Sequence, residues 1–216
     1  MYRSEKFPPP PLAVIEAFVA SHAYAKILAA PLDRGPEATL IPYTLTGNLA
    51  LEGDAVVEAH LVDGDPTLEA LAANPRASVL VDELLSFIPH TVFDPMDGNR
   101  AMILFRSLLL SGRAEISDRP EEIGEGLERL IRRLEPGAPF DPVTVERYGS
   151  RVTRLRHVRI AIDHIDAKWK LAQDQPPEVR DQILAYLRAR DLPIDRVTRP
   201  ILLEYWSILG LDRSPA

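Results

Sequence analysis

The sequence predicts an α+β protein built around an antiparallel barrel, and three observations lead to that prediction. Segments of alternating polar and apolar residues, together with compact apolar runs, are typical of about six or seven short strands. The second to fourth strands follow one another without the crossover helices that a parallel sheet needs. One or two early helices and a later helical pair complete a pattern that favours a barrel with peripheral helices.

The first half of the chain alternates short strands with two short helices. Apolar residues at helical spacing predict a helix over residues 12–20, after an extended, proline-rich opening over residues 1–11. Asp65-Pro66 is typical of an N-cap and a first-turn proline, and predicts a helix that ends at Asn74-Pro75. Strands are predicted over residues 23–30, 37–45, 55–62 and 76–82, with a turn over 31–36 and a hairpin at Gly53-Asp54 that joins 49–52 to 55–62.

The second half contains the longest apolar segment. Residues 85–93 suggest a strand interrupted at Pro89, and residues 94–99 have the composition of a loop. Residues 100–116 are almost continuously apolar, which predicts a strand buried on both faces, one of them against another subunit. Helices are predicted over residues 120–134, 142–148, 178–190 and 196–211.

Residues 157–190 bring cations, an aromatic ring and an amide together where a strand passes into a helix. Val158, Ile160 and Ile162 alternate with polar or small residues, which predicts a half-buried strand. Lys168, Trp169, Lys170 and Gln173 then fall within six residues, before Pro176-Pro177 starts a helix. A rigidly held loop of this kind is a common place for a ligand site. The alternative is a tryptophan packed in the core between two solvated lysines.

Composition limits the classes of function. The 216 residues suffice for one large domain or a domain with an appendage, and 46% hydrophobic and 26% charged residues are ordinary for a soluble globular protein. The longest apolar run is too short to cross a bilayer, and no secretory signal is visible. The chain has no cysteine, which excludes disulfides and thiolate chemistry and indicates a cytoplasmic protein.

The charge of the chain does not support DNA binding. The net charge is -7 and the pI about 5.3, and the sequence shows no helix-turn-helix with a basic recognition face. Arginines crowd into residues 129–133 and 147–159, where they form a local basic patch or pair with glutamates on exposed helix faces.

Motifs for familiar chemistries are missing, so catalytic residues stay unknown. There is no GxGxxG, GxxxxGK[ST], HExxH or GxSxG, and the scattered histidines predict no metal site. Arg106 interrupts an apolar strand, so its guanidinium must reach water, a carboxylate or an anionic ligand such as a phosphate.

Several short motifs resemble those of one known family. Residues 167–174, Ala-Lys-Trp-Lys-Leu-Ala-Gln-Asp, are similar to a Gly-Lys-(Tyr/Trp)-Lys-Leu-Ser-Gln-Asn element. Residues 38–42, 59–61 and 89–90, together with Met1-Tyr2 and Phe7, match further landmarks in the same order. This set resembles the PaiB-like proteins, FMN-binding negative transcriptional regulators of the split-barrel superfamily that includes pyridoxamine phosphate oxidase.

The resemblance implies a homodimer of antiparallel split barrels with FMN bound at the dimer interface. It implies a split-barrel domain over residues 1–175 and a C-terminal helical extension over 176–216, packed on the barrel or on the dimer partner. The cofactor-binding candidates are the polar residues at or near matching motifs: Thr39, His60, His90, Arg106, Lys168, Lys170 and Gln173.

Departures from the family pattern leave the ligand open. Leu40 stands where the family has a histidine, and residues 101–105 replace a polar-aromatic stretch by hydrocarbon. Each unpaired polar group of a ligand costs about 1–3 kcal/mol. Three hypotheses follow: a dimeric flavin-binding ligand sensor or transcriptional regulator, a flavin-dependent oxidoreductase, and a degenerate barrel that serves only as an interaction module. A phosphorylated small molecule other than flavin also satisfies these residues.

Overall fold

The computed structural model describes residues 6–31, 35–51 and 53–211, in which six strands form the sheet. These are β1 (Tyr24–Ala29), β2 (Glu37–Thr46), β3 (Val56–Val62), β4 (Arg76–Ile88), β5 (Met102–Ser117) and β6 (Leu155–Lys170). The helices are α1 (Leu12–Ser21), α2 (Pro66–Ala73), α3 (Pro120–Leu134), α4 (Val145–Tyr148), α5 (Ser150–Thr153), α6 (Pro177–Arg190) and α7 (Pro193–Ile208). Two 3-10 turns, His90–Val92 and Gly98–Arg100, connect β4 to β5.

The strands close into a ring, so the predicted antiparallel α+β barrel is confirmed. Their hydrogen-bonded order is β1-β2-β3-β6-β5-β4, and β4 pairs with β1 to complete the ring. Ile27 of β1 faces Val79 of β4, and Val57 of β3 faces Ile160 of β6, and all four side chains are fully buried. Closing the sheet on itself gives these alternating apolar residues an interior to fill.

The first hairpin differs from the prediction. β2 runs on to Thr46 and pairs directly with β3, with Thr46 opposite Val56. Residues 49–51 form a turn rather than a hairpin arm, and Glu52 lies outside the described residues. The side chain of Asn48 accepts a hydrogen bond from Ala50 N, and Asp54 accepts one from Asn48 N, so local polar contacts hold the loop. The turn predicted over residues 31–36 stays a prediction, because residues 32–34 lie outside the described residues.

One strand prediction is wrong, and the prediction that a second subunit covers one face of β5 stays a prediction. Residues 76–88 form one strand that ends at Ile88, just before Pro89, not two, because the chain stays extended through Glu83 and Leu84. β5 is not buried on both faces within this chain, since burial alternates and Ile103 is 46% exposed. Its long apolar run therefore fills the barrel with every second side chain and presents the others outward.

β6 is longer than the pattern indicated. It continues through Lys168, Trp169 and Lys170, so these three residues end the strand instead of lying in a loop after it. The side chain of Trp169 is buried, whereas both lysines are only partly buried. The period of two along the strand thus separates the indole from the two ammonium groups.

The chain divides into two compact units. One comprises Pro11–Val81 and Leu108–Asp166, and the other Met1–Pro10, Asp82–Ser107 and Ala167–Ala216. In the second unit, α7 is held by polar contacts: Asp195 accepts hydrogen bonds from Ser86 Oγ at 2.7 Å and from Arg190 Nε at 2.8 Å. The predicted boundary at residue 175 between barrel and helical extension stays a prediction. No helix in the described part of the chain is long and apolar enough to span a bilayer.

Candidate functional site

A cavity of about 530 Å³ lies in the second unit, and the end of β6 forms part of its wall. Among the described residues, its lining includes the cationic side chains Lys6, Arg100, Lys168 and Lys170 and the carboxylate of Asp174. The aromatic rings of Phe7, Phe93 and Phe105 and the amides of Asn99 and Gln175 also line it. Cations therefore outnumber carboxylates in this lining, which favours an anionic ligand with an apolar, planar portion.

The Lys-Trp-Lys segment lines the cavity because of the strand geometry described above. Trp169 points away from the cavity lining into the core, where its ring centroid lies 5.3 Å from that of Tyr205 at an interplanar angle of 57°. Lys168 and Lys170 lie on the opposite side of the strand and line the cavity. The tryptophan therefore packs in the core while its neighbours line a cavity, and a ligand site at this segment stays a prediction.

The turn after β6 is fixed by the side chain of Gln173. Its Nε2 donates to Trp169 O at 2.6 Å, and its Oε1 accepts from Leu171 N at 2.7 Å. Ala172 lines the cavity and adopts a left-handed backbone with φ 58°, which is costly for a residue with a Cβ. Gln173 therefore acts on the backbone of this turn, and its predicted contact with a cofactor stays a prediction.

Arg106 pairs with a carboxylate. Its Nε and Nη2 both donate to Glu83 Oε2, at 2.8 and 2.6 Å, and its Cζ lies 5.5 Å from the centroid of the Trp169 ring. Of the partners that the sequence allowed for this guanidinium, the structure shows a carboxylate. Arg106 supports the indole between the two cavity lysines.

The other predicted cofactor residues have different surroundings. His90 begins the 3-10 turn that precedes Phe93, one of the cavity rings. Thr39 belongs to the first unit, where its hydroxyl shares a 2.8 Å hydrogen bond with Thr67 of α2. His60 also belongs to the first unit, where its ring packs against α3 at Gly126. The structure thus brings Lys168 and Lys170 together at one cavity, and the cofactor roles of Thr39, His60 and His90 stay predictions.

Comparison with known proteins identifies the family. The family model described as "Putative FMN-binding domain" matches residues 1–196. The chain belongs to this FMN-binding domain family. No curated protein matches the chain significantly.

Solved structures similar to this FMN-binding domain confirm its fold. The FAD and heme binding protein from Mycobacterium smegmatis is 20% identical, with a TM-score of 0.59 over 77% of this chain and 74% of that one. The flavocytochrome Anf3 from Azotobacter vinelandii is 16% identical, with a TM-score of 0.56 over 74% and 67%. The conserved hypothetical protein Rv2991 from Mycobacterium tuberculosis is 16% identical, with a TM-score of 0.53 over 78% and 90%. At these identities the likeness concerns the fold alone.

Sequence reasoning missed several side chains of the FMN-binding domain that line the cavity, among them Lys6, Phe93, Arg100 and Phe105. A signal existed for one of the rings, because Phe105 falls in residues 101–105, which stand opposite a polar-aromatic stretch of the PaiB-like pattern. This replacement left the ligand open, and the structure places Phe105 on the cavity wall. The Cζ of Arg100 lies 5.4 Å from the centroid of the Phe93 ring.

His60 of the FMN-binding domain belongs to a buried cluster in the first unit. Its ring stacks on His157, with centroids 4.9 Å apart and an interplanar angle of 8°. Glu58 lies beside them and accepts hydrogen bonds from Arg129 of α3 at 2.7 and 3.1 Å. Burial, followed by the neighbouring His157, lowers the pKa of His60 to about 4, and burial also lowers the pKa of His157. Both rings are therefore neutral at pH 7.

Gly126 permits this cluster to form. A Cβ atom at that position would lie 2.8 Å from Nε2 of His60 and 2.9 Å from Nε2 of His157. Only glycine therefore lets α3 approach the two rings so closely. These contacts support a role for His60 in holding α3 on β3 and β6.

Proposed function

We propose that this chain binds a phosphorylated flavin in the cavity beside Lys168 and Lys170. The single observation that supports the proposal is the combination of cationic and aromatic side chains on that one cavity. Lysine and arginine donate charge-assisted hydrogen bonds to phosphate oxygens, and the apolar rings suit a planar heterocycle. Membership of the FMN-binding domain family supports a flavin over other phosphorylated molecules.

The residues present fit such a group. A cavity of about 530 Å³ lies within the range of about 300–1,000 Å³ that small-molecule sites occupy. Lys168, Lys170 and Arg100 would hold the phosphate, while the amides of Asn99 and Gln175 supply donors and acceptors for the edge of the ring. A bound flavin supplies hydride and single-electron transfer chemistry. The chain's own contribution is to bind and orient it.

The finer assignment is a PaiB-like, FMN-specific, cytoplasmic homodimer that acts as a ligand-binding or transcriptional-regulatory protein. Support comes from the ordered motifs that end in residues 167–174 and from apolar side chains left exposed in a single chain. Leu84 is 68% exposed and Phe87 50% exposed in the second unit, and Leu40 is 66% exposed in the first. Burying such side chains against a second copy is favourable by roughly 25 cal/mol per Å² of apolar surface. The cavity beside Lys170 counts against a degenerate barrel with a closed cleft.

A titration of the purified protein tests the proposal. FMN, FAD and riboflavin are added separately, and binding is followed by quenching of flavin fluorescence. We expect FMN to bind at least about tenfold more tightly than riboflavin, because only FMN offers a phosphate to the lysines. Equal affinities for FMN and riboflavin, or no binding of either, would reject the proposed site.

Two further measurements on the same sample test the oligomeric state and whether the bound flavin is reduced. Native mass spectrometry reports whether the chain forms the homodimer. Addition of NADPH to the flavin-loaded protein without oxygen reports whether the flavin is reduced. Loss of the oxidised absorbance band would assign the protein to the flavin-dependent oxidoreductases, and an unchanged band would favour a ligand-binding or regulatory role.

A further inference from the structure

The end of α7 contacts the strand end that carries the two cavity lysines. Trp206, 5% exposed, donates a 2.7 Å hydrogen bond from its indole Nε1 to the carbonyl oxygen of Leu171. Tyr205 contacts the buried ring of Trp169, the residue between Lys168 and Lys170. Both aromatic residues of α7 lie beyond residue 196, where the match to the family ends.

Both polar groups of the Leu171 backbone are thereby fixed by side chains. Its N–H donates to Gln173 Oε1 at 2.7 Å, and its carbonyl accepts from Trp206. Leu171 itself is fully buried, while the residues on either side of it, Lys170 and Ala172, line the cavity. The left-handed backbone of Ala172 is costly, so it persists only because its surroundings hold it.

Trp206 is itself held by more than this bond. The guanidinium carbon of Arg180 in α6 lies 5.3 Å from the centroid of the indole. At its other end, α7 is held by the buried carboxylate of Asp195, which pairs with Arg190 and Ser86. A helix fixed at both ends is a rigid support, and rigid supports determine how accurately binding groups are placed.

We propose that α7 positions the cavity lysines, with Trp206 as a positioning residue that acts through the carbonyl of Leu171. The link from lysine position to ligand affinity rests on the proposed flavin site. The inference that α7 positions the turn depends only on the hydrogen bonds to the backbone of Leu171, not on a bound flavin. A displacement of about 1 Å in a binding group is enough to weaken binding markedly. Trp206 therefore contributes to affinity without touching the ligand.

The first test needs no ligand. Trp206→Phe removes the indole donor and keeps an aromatic ring, whereas Glu204→Gln changes an exposed side chain of the same helix. Amide hydrogen exchange is followed by mass spectrometry on peptides that cover residues 168–175. We expect faster exchange there in Trp206→Phe and in Gln173→Met, and wild-type exchange in Glu204→Gln. Unchanged exchange in Trp206→Phe, or equal acceleration in Glu204→Gln, would overturn the positioning role.

The second test measures FMN affinity in a double-mutant cycle with Lys170→Met. We expect Trp206→Phe to weaken FMN binding about five- to tenfold in the wild-type background and less than about twofold in the Lys170→Met background. An equal loss in both backgrounds would show that Trp206 does not act through Lys170. If the wild-type protein binds no FMN, the proposed function fails, and hydrogen exchange alone decides whether α7 holds the turn.

Discussion

Two nitrogens of Arg106 donate to one carboxylate oxygen of Glu83, and the same guanidinium lies against the face of Trp169. The pair is partly buried, with side-chain exposures of 15% for Arg106 and 24% for Glu83. Removing one member would leave the other charge in a poorly hydrated position. These contacts support a structural role for Arg106 at the strand end that carries the cavity lysines, and its predicted contact with a cofactor stays a prediction.

Arg106→Met is expected to affect stability more than ligand affinity. The variant should lower the free energy of unfolding by about 1–2 kcal/mol, because Glu83 loses its partner. The change in FMN affinity should stay below about threefold. Urea denaturation and fluorescence titration measure the two effects, with the exposed Arg113→Met as control. A loss of FMN binding with unchanged stability would instead make Arg106 a direct ligand of the phosphate.

Lys168→Met and Lys170→Met are expected to show the opposite pattern. Each removes a cation from the cavity lining but keeps most of the apolar stem, so the free energy of unfolding should change by less than about 0.5 kcal/mol. FMN affinity should fall about fivefold or more for each variant, and wild-type affinity should weaken as NaCl is raised from low to high concentration. Lys26→Met, a change in β1, serves as the control. A salt-independent affinity would contradict ionic recognition.

The low pKa of His60 predicts that the free energy of unfolding depends on pH. Its pKa is about 4 in the folded protein against 6.5 ordinarily, so between these values the unfolded chain binds a proton that the folded chain does not. Stability should therefore fall as the pH drops from about 6.5 towards 4, by up to roughly 3 kcal/mol from this ring. Burial is the main cause of this low pKa, the stacked His157 and the Arg129 guanidinium also disfavour the imidazolium, and a backbone hydrogen bond at Ile123 partly offsets them.

His60→Gln checks that assignment. Urea denaturation at pH 7.5 and pH 5.0 should show a smaller difference in stability for this variant than for the wild type. The exposed His164→Gln should retain the wild-type difference. If His60→Gln keeps the full difference, another group accounts for the pH dependence.

Asp195 is expected to be critical for attaching α7. Its side chain is fully buried, and hydrogen bonds from Arg190, followed by those from Ser86 and Leu192 N, lower its pKa to about 2. Asp195→Ala leaves the charge of Arg190 without its partner, so the free energy of unfolding should fall by about 3 kcal/mol. Circular dichroism during thermal denaturation measures the loss. Asp191→Asn, which removes the charge of an exposed partner of Arg196 and Arg199 and suits the left-handed backbone there, should cost under about 1 kcal/mol.

The barrel was predictable because its strands carry their own patterns. Alternation along residues 23–30, 37–45 and 55–62 located β1, β2 and β3 to within about two residues. The apolar run over residues 100–116 located β5 but did not reveal which side chains face the barrel interior, and burial of the other face against a second subunit stays a prediction. The full length of β4 was missed because Asp82, Glu83 and Leu84 do not alternate in polarity, although the backbone there stays extended.

The sequence allowed only part of the candidate site to be predicted, because its residues come from distant segments of the chain. Lys168 and Lys170 stand out in the sequence because they flank a tryptophan at the end of a strand. Arg100 and Lys6 come to the same cavity from distant segments, and no spacing rule links them to β6. The support from Trp206 was also invisible, because it depends on a hydrogen bond between residues 35 positions apart.

The relative affinity for FMN and riboflavin, measured in the wild type and in the Lys168→Met/Lys170→Met variant, tests the central claim most directly. If the two lysines hold the phosphate, the wild type should prefer FMN by at least about tenfold, and the double variant should bind the two flavins within about twofold of each other. An undiminished preference for FMN in the double variant would contradict the account, because the phosphate would then be held by other residues.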